Sequence, residues 1–429
     1  MGRRLFGTDG VRGAAGEVLT ADLALRLGHA ATRNLEADRP RVLVIRDTRE
    51  SGPMLEAALA AGVAAAGGDV LLGGVLPTPA APLLIDRYGL DLAAVISASH
   101  NPYGDNGIKF FAGDGFKLTD AAEAQIEQRL DDPVTGAAIG RVDALHGTEE
   151  DYLRALHTRF EHIDLSGRRV LLDCANGATC RVAPEAFRRL GAEVTAVADA
   201  PDGRNINAGC GSTHVEDLDV AGHDVAFAFD GDGDRVLAKD RTGAVVDGDE
   251  LLALAALHRR VPGVAVTVMT NYGFHTAMRA AGVEVATTRV GDRYVLEELR
   301  DRGWALGGEQ SGHIIDMGFV PSGDGIAAAL LTLEALDGRD LADRAAMEKL
   351  PQRLVNVPVA DRDAAMASEE LAGAVERESA GLEGRGRVLV RPSGTEQLVR
   401  VMVEAPTAEE ADAVCGRLTA IVESSSGRT

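Results

Sequence analysis

The sequence predicts a multidomain α/β protein that ends in a smaller α+β domain. Its 429 residues exceed what one hydrophobic core usually covers, so we expect about three or four domains. Short apolar runs typical of buried strands alternate with Ala- and Leu-rich helical runs, which indicates sheets covered by helices on both faces. From about Gln352 onward the pattern changes to that of a small α+β domain.

The α/β alternation occurs three times before the final domain. The first round has predicted strands Arg41–Arg46, Val70–Leu72 and Leu92–Ile96 and helices Ala21–Leu35, Met54–Ala66 and Ala80–Tyr88. The second has strands Arg169–Asp173, Glu193–Val197 and Val225–Phe229 and helix Pro184–Leu190. The third has strands Val264–Thr270 and Val283–Thr287 and helices Glu250–Arg260, Tyr294–Arg302 and Gly325–Leu336. The last stretch has strands Leu354–Val359, Val388–Val390 and Leu398–Val403 and helices Ala364–Glu378 and Ala408–Val422.

These rounds predict domains at 1–147, 148–247, 248–351 and 352–429, with a linker between Asp132 and Gly147. Three successive units of similar size indicate a repeated architecture, although no repeat is visible residue by residue.

The net charge and the composition indicate which kinds of binding partner are expected. A formal net charge of -22 disfavours nucleic acid and anionic membranes, so neither is expected as a partner. A phosphorylated metabolite would need a local concentration of Arg, Lys or backbone N–H groups. The four cysteines form no C-x-x-C pair, and the chain shows neither an apolar leader nor a membrane-spanning run. We therefore expect a cytoplasmic protein.

Polar residues follow the predicted buried strand Leu92–Ile96 and read S-A-S-H-N-P-Y-G-D-N-G-I-K from Ser97 to Lys109. Loops at the carboxyl ends of strands are where α/β sheets gather their chemistry. Ser99 is therefore placed to act as a nucleophile, with Lys109 on the returning segment. The alternative is a polar hairpin whose hydroxyls only satisfy backbone groups.

Ser97 and Ser99 both lie at the end of this strand. Side chains two residues apart share one face of a strand, so periodicity does not choose between them. Ser99 is nearer the turn signal Asn101-Pro102 and further from the apolar run. This position favours Ser99 as the reactive residue.

A second motif, D-G-D-G-D-R at Asp230–Arg235, directly follows the predicted strand Val225–Phe229. Three carboxylates at alternating positions share one face of an extended segment, and the glycines let their oxygens converge. Hard oxygen ligands of this kind suit Mg²⁺. An EF-hand loop starts similarly but needs Gly at its sixth position and Glu at its twelfth, where Arg235 and Arg241 stand. The remaining alternative is an acidic surface turn.

A third motif, G-G-E-Q-S-G-H at Gly307–His313, follows the run Trp304–Leu306. It lacks the spacing of a nucleophile elbow. The Glu309 carboxylate suits two vicinal sugar hydroxyls, with Ser311 and His313 nearby. A polar loop that caps a strand would look the same.

A fourth motif, R-P-S-G-T-E at Arg391–Glu396, follows the predicted strand Val388–Val390. Its guanidinium matches phosphate oxygens, and Ser393, Gly394 and Thr395 offer hydroxyl and backbone donors. Arg400 lies on the next predicted strand. The alternative is a structural turn with an exposed arginine.

The opening segment Phe6–Gly13 is rich in glycine and carries Arg12. Its glycines are compatible with simple turns, and Arg12 could neutralise a phosphoryl group.

Taken together and in this order, the motifs resemble those of the α-D-phosphohexomutase superfamily over essentially the whole chain. The resemblance implies three related α/β domains with mixed sheets and a smaller C-terminal α+β domain around a central cleft. Four segments look like the glucosamine branch: Gly7–Gly10, Gly308–His313, Val290–Tyr294 and Arg391–Glu396. One departure is Gln397, where that branch usually has Pro.

The resemblance also implies a role for each motif. Ser99 would carry a phosphoryl group, and one Mg²⁺ would be held by the three aspartates and an oxygen on Ser99. Lys109 and His313 match residues of proton transfer, and Glu309 and Ser311 match sugar-hydroxyl ligands. The remaining matches are Asp230, Asp232 and Asp234 as metal ligands, Arg12 and Arg235 beside the phosphoryl group, and Arg391, Ser393, Gly394, Thr395 and Arg400 at the distal phosphate.

The implied reaction interconverts glucosamine 6-phosphate and glucosamine 1-phosphate on the route to UDP-N-acetylglucosamine. It would run through a bisphosphorylated sugar, with a hexose or hexosamine 1,6-bisphosphate as activator and a monomer or homodimer as the working form. Two alternatives are a phosphomannomutase/phosphoglucomutase and a non-catalytic sugar-phosphate-binding regulator.

Overall fold

The computed structural model describes residues 5–7, 9–134, 138–393 and 397–425. It divides into two compact units, the first formed by Met1–Met269 with Val283–Arg344 and the second by Thr270–Gly282 with Ala345–Thr429. The described residues of the first unit form three sheets of mixed parallel and antiparallel strands, and those of the second form an antiparallel sheet. The predicted α/β class with a smaller α+β domain is confirmed, while the four domain boundaries stay a prediction.

The first sheet has six strands. Its elements are β1 (Val11–Ala14), α1 (Ala21–Arg33), β2 (Arg41–Arg46), α2 (Gly52–Ala65), β3 (Asp69–Val75), α3 (Ala80–Tyr88), β4 (Leu92–Ile96), β5 (Asp105–Ala112), α4 (Asp120–Gln128) and β6 (Val142–Ala144). The strand order is β1-β5-β4-β2-β3-β6. The segment predicted as a linker therefore contains a strand, β6, which pairs in parallel with β3. The prediction was wrong there because all three residues of β6 are exposed, so no apolar run marks it.

The second and third sheets continue the first unit. The second is built from α5 (Thr148–Phe160), β7 (Arg169–Asp173), α6 (Val182–Arg189), β8 (Glu193–Val197), β9 (Val225–Phe229), β10 (Val236–Asp240) and β11 (Val245–Val246). The third round of elements is α7 (Gly248–Arg259), β12 (Gly263–Thr267), α8 (Tyr272–Ala280), β13 (Glu284–Thr288), α9 (Asp292–Arg302), β14 (Leu306–Gly308), β15 (Ile314–Asp316) and α10 (Gly325–Leu336). Two short 3₁₀ helices lie at Ser212–Asp217 and Leu341–Asp343.

The three sheets share one strand arrangement. Each contains three parallel strands in which the first lies between the second and the third, and a fourth strand pairs antiparallel with the third. The matching orders are β3-β2-β4-β5, β8-β7-β9-β10 and β13-β12-β14-β15. This confirms the repeat predicted from the order of elements.

The repeat places the first three motifs at equivalent positions. The serine loop, the aspartate loop and the G-E-Q-S-G-H loop each connect the third parallel strand of a sheet to the antiparallel fourth. Each motif therefore lies in the loop at the carboxyl end of the third parallel strand, where polar side chains leave the buried part of the sheet.

The second unit contains α8 and the elements β16 (Gln352–Pro358), α11 (Arg362–Met366), α12 (Glu369–Gly381), β17 (Arg387–Pro392), β18 (Leu398–Glu404) and α13 (Ala408–Ser425), with strand order β16-β18-β17. The single helix predicted at Ala364–Glu378 is two helices. The Ser368 hydroxyl accepts a hydrogen bond from Leu371 N at 3.3 Å and starts α12 anew. Serine at a helix start competes in this way with helix continuation.

Within the described residues, no helix is both long and apolar enough to cross a membrane.

The N-cap of α10 is a buried acid. Both carboxylate oxygens of Asp324 accept from the Tyr152 hydroxyl at 3.0 Å, and Oδ1 also accepts from Ala327 N at 2.9 Å. Burial raises the pKa of Asp324 to about 7, although these hydrogen bonds oppose the rise.

We expect this acid to make stability pH-dependent. Since the folded protein holds the Asp324 proton more tightly than the unfolded chain, its contribution is fully present below about pH 4 and is lost as pH rises through about 7. The contribution of Asp324 to the free energy of unfolding should change by on the order of 4 kcal/mol over this pH range. Asp324→Asn keeps a good N-cap without the charge. Thermal midpoints of wild type and variant, both metal-free, should therefore agree near pH 4 and favour the variant at pH 8. A midpoint difference that does not change with pH would contradict this.

Candidate active site

The serine loop points one hydroxyl at the aspartate loop. Ser99 is 1% exposed, and its Oγ donates to Asp230 Oδ2 at 2.6 Å. Its backbone has φ of 53°, a left-handed conformation that serine rarely adopts. Ser97 has another task, because its Oγ accepts from Ser99 N at 2.9 Å and donates to Asp47 Oδ2 at 2.6 Å. Ser99 therefore faces the other motifs, and Ser97 supports it from behind.

The three aspartates of the second motif converge. Asp230, Asp232 and Asp234 are buried, and each offers a carboxylate oxygen within 4.8 Å of the others. Burial, together with the charges of Asp234 and Asp232, raises the pKa of Asp230 well above its usual range. Asp232 Oδ1 and Asp234 Oδ1 are buried without a hydrogen bond from the described residues. Crowded like charges and orphaned hard oxygens are the features that a bound Mg²⁺ would resolve, so the residues fit that ion.

Lys109 lies against the same aspartates. It is on β5, and its Nζ donates to Asp232 Oδ2 at 2.7 Å and lies 3.5 Å from Asp234 Oδ2. Burial opposes its charge, but Asp232, Asp9 and Asp234 outweigh burial and raise the pKa of Lys109 above its ordinary value. Lys109 therefore holds a proton and a positive charge next to the triad.

Arg235 and Arg12 bring positive charge near His100, the residue that follows Ser99. The His100 ring Nδ1 is 3.3 Å from Ser99 Oγ and 3.4 Å from a terminal nitrogen of Arg235. Burial and the charges of Arg235 and Arg12 lower the pKa of His100. The Nε–H groups of Arg12 and Arg235 are buried and donate no hydrogen bond to the described residues. Near Ser99 there are thus unused N–H donors and positive charges, which suit an anion.

The third motif approaches the triad through His313. Its Nδ1 lies 3.6 Å from Asp234 Oδ1, and its Nε2 accepts from Gly323 N at 3.1 Å. Burial disfavours the imidazolium, yet Asp234 and Asp292 raise the pKa of His313. In the same loop, Glu309 accepts from Gly291 N at 3.0 Å through Oε1 and from the Ser311 hydroxyl at 3.4 Å through Oε2.

Several residues that contact the site were not identified from the sequence. Lys117 bridges Asp9, at 2.5 Å, and Asp292, whose Oδ2 is 3.6 Å from His313 Nε2. The Thr78 hydroxyl donates to Asp232 Oδ2 at 2.5 Å. The motif segments that contain Asp9 and Asp292 had been noted for resemblance alone, and nothing in the spacing of the chain points to Lys117 or Thr78.

The fourth motif lies in the second unit. Arg391 on β17 is directly opposite Arg400 on β18, and burial together with the Arg400 charge lowers the pKa of Arg391. Like charges opposite each other in a sheet are unfavourable, so this pair favours an anion. Ser393 N donates to the carbonyl oxygen of Leu398, the first residue of β18, at 2.9 Å. Gly394 and Thr395 lie outside the described residues.

The structure therefore brings Ser99, Lys109, Asp230, Asp232, Asp234, Arg235 and His313 into one cluster of the first unit, with Arg12 close enough to His100 and Lys109 to influence the pKa of each. Burial opposes the charge of Arg235, but the negative charges of Asp234, Asp230 and Glu309 outweigh burial and raise the pKa of Arg235, so Glu309 is close enough to influence this arginine.

The chain is similar to known phosphohexomutases in sequence and in structure. Four family models match in order: phosphoglucomutase/phosphomannomutase domain I over residues 3–135, domain II over 150–243, domain III over 247–354 and the C-terminal domain over 354–421. A phosphoglucosamine mutase of Moorella thermoacetica is 52% identical, with 97% of this chain and 98% of that protein covered.

Solved structures show the same fold. A phosphoglucomutase/phosphomannomutase family protein of Burkholderia thailandensis matches with a TM-score of 0.84 at 24% identity, over 98% of this chain and 97% of that one. An Aspergillus fumigatus N-acetylphosphoglucosamine mutase, solved with GlcNAc-6P and magnesium, matches with a TM-score of 0.72 at 18% identity, over 99% and 96%. The chain belongs to the phosphoglucosamine mutase family of the α-D-phosphohexomutase superfamily.

Proposed function

We propose that the chain interconverts glucosamine 6-phosphate and glucosamine 1-phosphate, with Ser99 as phosphoryl carrier and a bisphosphorylated sugar as intermediate. The observation that carries the proposal is the Ser99 hydroxyl, 2.6 Å from one carboxylate of a buried aspartate triad and within a cluster of cations. The 52% identity to a phosphoglucosamine mutase over nearly the full length supports glucosamine phosphate as the substrate.

The reaction needs two phosphoryl transfers. In the first, the bond between phosphorus and Ser99 Oγ breaks, a bond to a hydroxyl of the sugar monophosphate forms, and the hydroxyl proton leaves. In the second, the other phosphate of the bisphosphate returns to Ser99 Oγ, and the freed sugar oxygen takes up a proton. Lys109 and His313 are the proposed proton carriers. Such transfers depend mainly on positioning and charge neutralisation, which Arg12, Arg235 and Lys109 supply.

Asp230, Asp232 and Asp234, with an oxygen on Ser99, would hold one Mg²⁺, which when bound offsets the charge of the phosphoryl oxygens. The magnesium in the Aspergillus fumigatus structure supports this assignment. A hexose or hexosamine 1,6-bisphosphate is the proposed activator that first phosphorylates Ser99.

The sugar and its second phosphate have separate proposed contacts. Glu309 and Ser311 would bind sugar hydroxyls, since the carboxylate can accept from two vicinal groups. Arg391 and Arg400, with the loop of Ser393, Gly394 and Thr395, would bind the phosphate that is not reacting. The like-charged arginine pair across β17 and β18 supports an anion there.

We place the protein in the cytoplasm, as a monomer or homodimer. All four cysteines, Cys174, Cys180, Cys210 and Cys415, are free thiols, as expected in a reducing compartment. The net charge of -22 argues against nucleic acid or an anionic membrane as a partner.

A coupled assay with glucosamine 6-phosphate, mannose 6-phosphate and glucose 6-phosphate tests the proposal. We expect the highest kcat/KM with the glucosamine substrate, and no turnover by a Ser99→Ala control with any of the three. A preference for mannose or glucose phosphate would favour a phosphomannomutase/phosphoglucomutase. Binding of sugar phosphates without turnover would favour a regulator.

A further inference from the structure

The serine loop is held by its backbone carbonyls. The Arg49 guanidinium, which is completely buried, has hydrogen-bond partners for all five of its N–H groups. Nε donates to Asp47 Oδ2 at 2.9 Å, and the terminal nitrogens donate to the carbonyl oxygens of Ser99, Asn101, Pro102 and Asp105. One side chain thus gathers four carbonyls of the loop that carries the nucleophile.

A second side chain, from the segment that follows β8, also binds the backbone of the serine loop. Asn207 Nδ2 donates to Ser99 O at 2.9 Å and to Asn101 O at 3.2 Å, two of the carbonyls that Arg49 binds. The Asn207 side chain is presented by a left-handed backbone, with φ of 56°, and its N–H donates to Ala175 O at 2.9 Å. The residue is buried, with 9% of its surface exposed.

Asn207 also lies where the serine loop meets the aspartate loop. A Cβ on Gly231 would be 2.5 Å from Ser99 O and 2.8 Å from Asn207 Nδ2, so only glycine allows the three segments to touch. Asp230, the residue before Gly231, accepts the Ser99 hydroxyl. Any shift of the Ser99 carbonyl therefore changes the distance between the nucleophile and the triad.

We infer that Asn207 is a positioning residue for the phosphoryl transfer: its carboxamide fixes the Ser99 and Asn101 carbonyls and so keeps Ser99 Oγ within reach of the aspartate triad. Ser99 has a strained left-handed backbone that persists only where its surroundings over-determine it. Arg49 and Asn207 together bind the Ser99 and Asn101 carbonyls. The inference rests on the proposed function, because it concerns the geometry of that reaction.

The test uses two variants of the full-length protein. Asn207→Gly removes the carboxamide and suits the left-handed backbone, and Asn207→Asp keeps the shape but sets an oxygen against the two carbonyls. Because a misplacement of about 1 Å can lower rates by about a hundredfold, we expect kcat to fall by about 10- to 100-fold in both variants. The KM for glucosamine 6-phosphate should stay within about twofold, since Asn207 is not placed among the proposed sugar or phosphate ligands.

The matched control is Asn205→Ala in the same segment. Asn205 binds Asp202 N and Ala200 O within its own loop, and its side chain donates no hydrogen bond to the serine loop. We expect it to keep kcat within about twofold of wild type. Thermal midpoints and the phosphoserine content of each protein, by intact mass, complete the comparison. If one Asn207 variant fails to fold, the other decides by the same measurements.

The outcomes separate the two proposals. A wild-type protein without mutase activity would overturn the proposed function. An active wild type whose Asn207 variants keep full kcat would overturn the positioning role alone, and so would equal losses in the Asn205 control, since those would indicate general loosening of the loop. A raised KM with unchanged kcat would place Asn207 in substrate binding instead.

Discussion

Replacing Ser99 by alanine is expected to lower mutase turnover by about a thousandfold or more, because loss of a covalent nucleophile removes the reaction path itself. The protein should stay folded. Alanine accepts the same left-handed backbone about as poorly as serine, and the lost hydrogen bond is the one to Asp230. Coupled assays and a thermal midpoint measure the two expectations.

Ser97→Ala is the matched control for Ser99→Ala. It leaves the Ser99 hydroxyl in place but removes the oxygen that binds Ser99 N and the donor to Asp47. Loss of these two hydrogen bonds, at about 1 kcal/mol each, corresponds to at most about a 30-fold fall in the rate, so substantial activity should remain. Peptide mass spectrometry should find phosphate on Ser99 in part of the purified protein. Phosphate on Ser97, or normal turnover by Ser99→Ala, would show that the nucleophile is misassigned.

Removal of the metal should have the next largest effect. EDTA is expected to lower turnover by about 100-fold or more, with recovery when Mg²⁺ is added, since charge stabilisation by a metal contributes several kcal/mol to such transfers. A second readout does not depend on turnover. Because three buried carboxylates repel one another, Mg²⁺ should raise the thermal midpoint of the wild type.

The Asp230→Asn variant distinguishes a loss of metal binding from a general loss of stability. Burial and its neighbours already raise the pKa of Asp230 well above the usual range, so the neutral amide should leave the metal-free protein about as stable as wild type. The variant should nevertheless gain much less thermal stability from Mg²⁺ and lose most of its turnover. Asp38→Asn, at an exposed position, is the control and should behave as wild type. Full turnover in EDTA, or an equal gain of stability with Mg²⁺, would remove the triad from metal binding.

The local pattern of apolar residues was sufficient to predict the strands that are buried on both faces. The strands Arg41–Arg46, Leu92–Ile96, Arg169–Asp173 and Val225–Phe229 have the predicted bounds, because the interior of a strand that is covered by helices is filled with apolar residues. The same signal failed for β6, whose side chains are all exposed, and for α8, which was not predicted. Propensity and period are most informative where burial imposes them.

The sequence by itself determined the chemistry of the motifs and their order, since each is written in consecutive residues: a hydroxyl after a buried strand, three alternating carboxylates, a carboxylate with Ser and His, and an arginine turn. It also determined the family. Spacing alone pointed to convergent aspartates, because glycine between them removes the steric barrier to a tight turn.

Only the tertiary structure decided which groups act together. Period two places Ser97 and Ser99 on the same face, and the packing of one sheet edge against the next sends only the Ser99 hydroxyl to Asp230, 131 residues away. Lys117 meets Asp292 across 175 residues, and Asn207 meets Ser99 across 108. Contacts of this kind depend on how the three sheets and their loops pack in the first unit. Local sequence preferences do not specify that packing.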